Sequence, residues 1–275
     1  MKQRIITAGI GLVLLAVVLM FYKHYVLNIC IALVVVVAMH EILNVEKLTR
    51  NYPLAFVTYA YALSVPLLAL NGLYWLYPYF TVTYALILMT ISVAQYKKVR
   101  FEQLSFVFMM SFIIPFSLSC VLFIRNIYKE DSLFLVLLAL AGGWLTDSGA
   151  YFSGRFFGKH KMSPNISPKK TVEGAVGGVI ICTVGFLLIG WIDQTIYRQI
   201  GASIEISYLN LAIISVVCSL SGIIGDLSAS VIKRQFNMKD FGTIMPGHGG
   251  IMDRFDSVVF TAPVFFILLK ILPVI

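Results

Sequence analysis

The sequence predicts an all-α fold, a polytopic membrane bundle of about nine transmembrane helices. Of the 275 residues, 59% are hydrophobic and only 12% are charged, whereas a soluble domain carries about 25% charged residues. Apolar stretches of roughly 20 residues, the length at which a helix crosses a bilayer, also recur along the whole chain. Composition and pattern therefore exclude a soluble globular protein.

Nine apolar stretches are the predicted spans. The first five belong to an N-terminal region, residues 1–130, and the last four, with their cytoplasmic loops, to a catalytic region, residues 131–275. Asn71 and Gly72 form the short break between the third span and the fourth. The spans are residues 5–22, 25–43, 54–70, 74–94, 104–124, 132–152, 173–192, 209–228 and 255–274.

The basic residues predict the orientation. In a nine-span topology, sixteen lysines and arginines lie on the side of the N-terminus and five on the other side. Because basic residues accumulate on the cytoplasmic side of a membrane protein, the N-terminus is predicted to be cytoplasmic and the C-terminus external. This asymmetry accounts for most of the net charge of +8, so the charge gives no support for nucleic-acid binding.

Acidic residues at the edge of a membrane are energetically costly, and their positions therefore indicate function. Asp147 is late in span six, among Ser148, Gly149 and Ala150, small residues that let helices approach closely. The alternative for Asp147 is a packing role, with its carboxylate hydrogen-bonded to a neighbouring helix. Glu173 opens span seven on the same side of the membrane.

The loop before span seven contains a possible anion site. Lys169 and Lys170 precede Thr171, which can cap the helix of that span. The free N–H groups of a helix start, beside two lysines, favour a phosphate group. The alternative is an ordinary basic cytoplasmic loop with a helix cap.

Span eight has one polar face. Ser219, Gly222, Asp226, Ser230 and Lys233 recur at spacings of three and four residues, which places them on one side of a helix. The carboxylate of Asp226 is one or two turns inside the apolar segment. A metal ion or a cationic partner would explain its position.

The segment before span nine combines a glycine-rich turn with paired carboxylates. Residues 246–250 read Pro-Gly-His-Gly-Gly, and such glycines let backbone amides approach a phosphate. Asp253 and Asp256 follow at a spacing of three residues, which predicts that both carboxylates lie on one side of a helix start. Together with Asp226 they form an oxygen ligand set suited to Mg²⁺. His248 suits a loop-shaping or phosphate-binding role better than proton transfer.

These features together predict metal-assisted phosphoryl or nucleotidyl transfer. The candidate catalytic residues are Asp226, Asp253, Asp256, Lys233 and Arg234, the first three as metal ligands. The candidates for binding substrate and phosphate are Asp147, Lys169, Lys170, Lys239, His248, Gly249, Gly250 and Arg254.

The order of these residues resembles a known family. Residues 230–256 resemble the signature of the bacterial phosphatidate cytidylyltransferases, also called CDP-diacylglycerol synthases. The strings D-S-G-A-Y-F-x-G-R-x-F-G-K-H-K, I-S-P-K-K-T-x-E-G and S-G-x-x-G-D-L resemble the same family. The similarity covers roughly residues 143 to 260.

The resemblance implies a reaction and its participants. CTP and phosphatidic acid would give CDP-diacylglycerol and pyrophosphate at the cytoplasmic face of the cell membrane. Mg²⁺ would be the cofactor, with K⁺ as a possible second cation, and Asp226, Asp253 and Asp256 would be metal ligands. The resemblance also implies a homodimer among membrane lipids.

Three other functions stay open from the residues alone. A CTP-dependent prenol or dolichol kinase would use similar nucleotide chemistry. A CDP-alcohol phosphotransferase also uses membrane aspartates, but the start of its motif is absent. A cation-coupled transporter is disfavoured because the acids gather at one membrane face and no inverted repeat is visible.

Overall fold

The computed structural model describes residues 9, 11, 13, 15–22, 25–70, 72–129, 132–199, 201, 204–245, 247 and 249–275. The described part of the chain is predominantly helical, which confirms the all-α class. Seven of its helices are long and apolar enough to cross a membrane. Of the first predicted span, residues 5–22, the structure describes residues 9, 11, 13 and 15–22, and those up to residue 20 are helical.

After the helical residues 15–20, the described regular structure continues with nine helices, one short hairpin and two single turns of 3₁₀ helix at Leu48–Arg50 and Tyr74–Leu76. The helices are α1 (Val26–Val45), α2 (Tyr52–Leu70), α3 (Tyr77–Ala94), α4 (Phe101–Tyr128), α5 (Ser132–Phe157), α6 (Val172–Gln199), α7 (Tyr208–Gln235), α8 (Met252–Phe255) and α9 (Val258–Ile271). The hairpin consists of the antiparallel strands β1 (Lys161–Ser163) and β2 (Ser167–Thr171).

The long helices extend beyond the predicted spans. Helices α4 to α7 contain 26 to 28 residues. The predicted spans are shorter because hydropathy detects only the apolar part of a helix and misses its polar end. The last turn of α7 contains Lys233 and Arg234, whose positive charges are favourable at a helix C-terminus. The aspartates of α5 and α7 therefore lie inside regular helices rather than in loops.

The last helix is shorter than predicted. Helix α9 has 14 residues, fewer than the roughly 20 that a spanning helix needs, and it is not among the seven candidate spans. The third and fourth predicted spans are separate helices, as expected. The count of nine spans and the cytoplasmic N-terminus stay predictions.

Packing divides the chain into two compact units. The first contains Met1–Asn126 and Met238–Arg254, and the second contains Ile127–Asn237 and Phe255–Ile275. The segment 238–254 thus groups with the N-terminal helices, although the sequence analysis assigned it to the region 131–275. Long-range hydrogen bonds from the backbone of this segment to α1 are responsible.

Hydroxyl groups join three helices of the first unit. Tyr61 of α2 stacks on Tyr84 of α3, with 4.3 Å between the ring centroids. The Tyr84 hydroxyl donates a hydrogen bond of 3.0 Å to Ser111 of α4 and lies 3.2 Å from the hydroxyl of Thr58. Because an unpaired polar group is costly in an apolar interior, this network fixes how the three helices pack.

Small residues bring α5 and α6 together in the second unit. A Cβ atom on Gly149 would lie 2.8 Å from Cβ of Ile181 and 3.0 Å from Cα of Gly178. A Cβ atom on Gly178 would lie 2.8 Å from the carbonyl oxygen of Thr146. The prediction that small residues near Asp147 permit close helix packing is therefore confirmed.

Candidate active site

Three carboxylates lie close together in the second unit. Asp147 belongs to α5, Asp226 to α7, and Asp256 to the turn that follows α8. Burial, together with the negative charges of Asp226 and Asp147, raises the pKa of Asp256 to about 7. The sequence analysis had grouped Asp226 and Asp256 with Asp253 as metal ligands and had placed Asp147 among the substrate-binding candidates.

Ser257 connects two of these carboxylates. Its hydroxyl donates a hydrogen bond of 2.6 Å to Oδ2 of Asp147, and its backbone N–H donates one of 2.9 Å to Oδ1 of Asp256. Ser257 is 1% exposed, so both contacts are shielded from solvent. The sequence analysis missed this residue, although its position directly after the paired aspartates is a signal that could have identified it.

A lysine from the hairpin neutralises the third carboxylate. The ammonium nitrogen of Lys170 lies 2.5 Å from Oδ2 of Asp226, and the two side chains are 23% and 27% exposed. The nitrogen atom itself is buried, and within the described part of the chain it has no hydrogen-bond partner of good geometry. The positive charge of Lys233 acts on Asp256 in the same sense, by favouring its ionised form.

The hairpin holds Lys170 in this position. Thr171 accepts a hydrogen bond of 3.1 Å from the backbone N–H of Gly174, which confirms that it caps α6. Glu173 accepts the backbone N–H of Lys159 at 3.0 Å. At the tip, Nε of Arg234 donates to the Ile166 carbonyl at 3.2 Å.

Two consecutive lysines of strand β2 differ in exposure. Lys169 points to solvent and Lys170 is only partly exposed. The two lysines that the sequence analysis treated as a pair therefore have different surroundings.

Glycines make room for the Asp256 turn. A Cβ atom on Gly225 of α7 would lie 2.8 Å from the carbonyl oxygen of Asp256. One on Gly143 of α5 would lie 3.2 Å from Cβ of Ser257. The aspartates of α5 and α7 approach the turn because the residues near them on both helices lack side chains.

The other predicted residues belong to the first unit. Oδ2 of Asp253 accepts the backbone N–H of Phe241 at 2.8 Å and that of Gly250 at 3.0 Å. Helix α8 ends at Phe255, so Asp253 and Asp256 do not share a helix as the three-residue spacing suggested. Each of the two carboxylates accepts local backbone N–H groups instead.

The predicted glycine-rich turn is present. Gly247 and Gly249 have φ angles of +76° and +85°, which only glycine adopts without strain, and Met245 pairs with Gly249 across the turn. Lys239 and Arg254 are exposed on either side of it. His248 lies outside the described residues.

The carboxylate cluster of the second unit has the donor chemistry of a Mg²⁺ site. Mg²⁺ prefers a few carboxylate oxygens together with substrate phosphates, and Asp226, Asp256 and Asp147 provide the carboxylates. In the described conformation, the Lys170 ammonium forms an ion pair with Asp226. Among the described residues, no three His, Cys, Asp or Glu side chains converge tightly enough to bind a metal ion unchanged.

Known proteins share the sequence of this region. The model of the cytidylyltransferase family matches residues 2–272. The phosphatidate cytidylyltransferase of Bacillus subtilis is 39% identical over 186 residues, which are 68% of this chain and 65% of that protein. The enzyme of the same name from Staphylococcus saprophyticus is 46% identical over 141 residues, 51% of each chain. That of Staphylococcus aureus is 40% identical over 144 residues, again 51% of each.

The similarity to these relatives is strong but partial. The chain aligns with between half and two thirds of the length of the curated relatives named above. The family model, in contrast, extends over nearly the whole chain, including the helices that precede the carboxylate cluster. The protein is therefore a multi-pass membrane protein that belongs to the cytidylyltransferase family.

Proposed function

We propose that this protein transfers the cytidylyl group of CTP to phosphatidic acid, with release of pyrophosphate, at the cytoplasmic face of the cell membrane. The observation that carries the proposal is the partly buried cluster of Asp147, Asp226 and Asp256 with Lys170. Such a cluster of opposite charges in a membrane-spanning bundle suits a reaction between two phosphate-bearing substrates. The names of the relatives from Bacillus and Staphylococcus support the same reaction.

The reaction needs little proton chemistry. A phosphate oxygen of phosphatidic acid attacks the α-phosphorus of CTP and forms a new P–O–P linkage. The bond from the α-phosphorus to its bridging oxygen breaks, and pyrophosphate leaves. Because the attacking phosphate is already ionised at neutral pH, positioning and charge neutralisation account for catalysis.

Lys170 is the residue that we assign to phosphate binding in the second unit. Its buried nitrogen has an ion-pair partner but no described acceptor in hydrogen-bond geometry. An ammonium has three N–H donors, and those not directed at Asp226 can be accepted by a phosphate oxygen. The positive charges of Lys233 and Arg234, at the end of α7, would stabilise the negative charge of the departing pyrophosphate.

Mg²⁺ is the proposed cofactor. Asp226 and Asp256 would be its ligands from the second unit, and Asp253 is the third ligand that the resemblance implies. When bound, Mg²⁺ would neutralise the charge of the CTP phosphates and so favour attack at the α-phosphorus. A second cation such as K⁺ and a homodimeric assembly are also proposed, on the resemblance alone.

The distribution of charge supports the proposed cytoplasmic location of the site. Lys169, Lys170, Lys233, Arg234 and Arg254 are on the side that receives sixteen of the basic residues in the nine-span topology. Basic residues favour that side of the membrane, and CTP is a cytoplasmic substrate. The proposed site and the proposed nucleotide are thus on the same side.

A position-specific label in CTP separates the proposal from its rivals. Purified protein in detergent receives phosphatidic acid or a prenol, with CTP labelled at either the α- or the γ-phosphate. Cytidylyl transfer moves the α label into phosphatidic acid and leaves the γ label in pyrophosphate. A CTP-dependent lipid kinase would move the γ label into the prenol, and a transporter would move neither.

Two variants test the role of the cluster in the same assay. We expect Lys170→Met to lose at least tenfold in rate, because the phosphate loses its buried partner. Lys161→Met changes an exposed lysine of the same hairpin and should keep the wild-type rate. Absence of α label in the lipid with the wild-type protein would refute the proposed function.

A further inference from the structure

Glu41 is a buried acid that the proposed reaction does not use. It lies near the end of α1 and is 1% exposed. No described lysine or arginine lies within ion-pair distance of it. A buried carboxylate is costly without compensating contacts, so the groups that do contact it reveal its role.

Glu41 accepts hydrogen bonds from two consecutive backbone N–H groups. Its Oε1 accepts the N–H of Ile251 and its Oε2 accepts the N–H of Met252, each at 2.9 Å. Both oxygens are used, which fixes the position and the direction of the chain at that point. The contacts join residues 210 and 211 positions apart in the sequence.

The loop is built closely around this carboxylate. A Cβ atom on Gly250 would lie within 2.6 Å of three atoms of the Glu41 carboxylate, and one on Gly242 would lie 2.8 Å from its Cδ. These two residues thus lack side chains where the acid approaches the backbone from both sides. The carboxylate is therefore enclosed by backbone at Gly242 and at Gly250 rather than contacted at one point.

The same loop presents residues of the proposed site. Met252 precedes Asp253, whose own carboxylate accepts the backbone N–H groups of Phe241 and Gly250. Both carboxylates therefore accept backbone N–H groups of this loop, that of Glu41 from α1 and that of Asp253 from the residue that follows the loop. A displacement of the Glu41 contacts would move the backbone of Asp253 directly.

We propose that Glu41 is a positioning residue for cytidylyl transfer, which fixes the loop 241–252 and thereby the placement of Asp253 and Arg254. The inference rests on the proposed function and assigns Glu41 no contact with substrate. Because a misplacement of about 1 Å can reduce a rate by about a hundredfold, a residue remote in sequence can control turnover in this way.

The test compares Glu41→Gln with the matched control Glu46→Gln. The glutamine at position 41 keeps the side-chain size but turns an amide N–H₂ toward one of the two backbone N–H donors. Glu46 lies at the end of the same helix, and its Oε2 accepts a hydrogen bond of 2.9 Å from Gln103, away from the loop. Each of the two variants replaces one carboxyl group by an amide.

Three measurements on full-length protein in detergent decide the outcome. We expect Glu41→Gln to lower kcat by about tenfold to a hundredfold, with a smaller change in KM for CTP. Amide hydrogen exchange of the peptide covering 241–253 should accelerate, while the melting temperature stays within a few degrees of the wild type. Glu46→Gln should change none of the three.

A conservative exchange supplies a rescue. Gly242→Ala should impair turnover, because its Cβ would collide with the Glu41 carboxylate. In a Glu41→Asp background the acid is one methylene shorter, and we expect the double variant to be more active than Gly242→Ala alone. Such a rescue would show that the Gly242→Ala defect acts through the contact with Glu41.

Normal kcat in Glu41→Gln would overturn the inference, as would a rate loss that merely follows the loss of folded protein with unchanged exchange in the peptide. A wild-type protein without transfer activity would instead refute the proposed function. In that case the exchange data alone would still decide whether Glu41 fixes the loop.

Discussion

Replacement of Asp253 by asparagine removes the charge of the side chain but keeps a hydrogen-bond acceptor. Both backbone N–H groups, from Phe241 and Gly250, donate to the single oxygen Oδ2 of Asp253. The carbonyl oxygen of an asparagine can take that position and accept both. The substitution therefore keeps the geometry of the loop and removes the negative charge.

The cost to the loop follows from the type of hydrogen bond. A hydrogen bond to a charged group contributes about 1.5–3 kcal/mol and a neutral one about 0.5–1.5 kcal/mol. The two bonds should lose about 2 kcal/mol in total, which corresponds to roughly 30-fold faster opening of the loop. Asp253→Ala, in contrast, leaves both N–H groups without their acceptor and should open the loop further.

The effect on catalysis should be larger than the effect on the loop. If the charge of Asp253 supports a bound cation, Asp253→Asn should lose about a hundredfold or more in Mg²⁺-dependent formation of CDP-diacylglycerol. The assay is run on one detergent-purified sample together with hydrogen exchange of the loop and thermal unfolding. Glu102→Gln, an exposed carboxylate of the same unit, is the control and should behave as the wild type.

Two results would refute this reasoning. An Asp253→Asn protein with nearly full activity would remove the charge of Asp253 from the mechanism. Activity that falls only in proportion to the opening of the loop would make Asp253 a structural residue, because the asparagine and alanine variants would then differ in exchange and in rate by the same factor.

The other predictions concern the second unit. Lys170→Met should lower the melting temperature as well as the activity, because Asp226 loses its ion-pair partner. Lys169→Gln, at an exposed position, should raise the KM for CTP or phosphatidic acid and leave the melting temperature unchanged. Equal effects of the two variants on melting would contradict the different surroundings of the two lysines. Cysteines at positions 169 and 198, before and near the end of α6, should be labelled from opposite sides of the membrane, and labelling from one side would refute the nine-span topology. Gly149→Val should abolish stable folding, because its Cβ would lie 2.8 Å from that of Ile181, whereas the neighbouring exposed Ser148→Ala should be neutral in a melting assay.

The ends of the helices show why hydropathy predicts the existence of a membrane helix better than its length. The apolar parts of α4 to α7 were identified from composition, since lipid requires apolar side chains on a helix. Their polar ends were not, because Arg155 or Lys233 is equally compatible with a loop. The β1–β2 hairpin was not predicted either, since its residues Lys161–Ser163 and Ser167–Thr171 have no alternating apolar pattern.

For the candidate site, too, the sequence identified the residues but not their contacts. The sequence identified Asp147, Asp226, Asp253 and Asp256 because an acid at the edge of an apolar segment is costly and therefore informative. It could not tell which partner each acid has. Asp226 pairs with a lysine of the hairpin, and Asp147 with a serine 110 positions away, because contacts of this kind depend on which helices pack together.

The sequence by itself determined the membrane class, the positions of most spans, the glycine-rich turn and the family, since each depends on composition or on a local order of residues. Only the tertiary structure decided that the segment 238–254 groups with the N-terminal helices. The physical reason is Glu41, whose two carboxylate oxygens bind backbone N–H groups more than 200 positions away. Backbone donors are the same in every non-proline residue, so no pattern of side chains in the loop could have identified this partner.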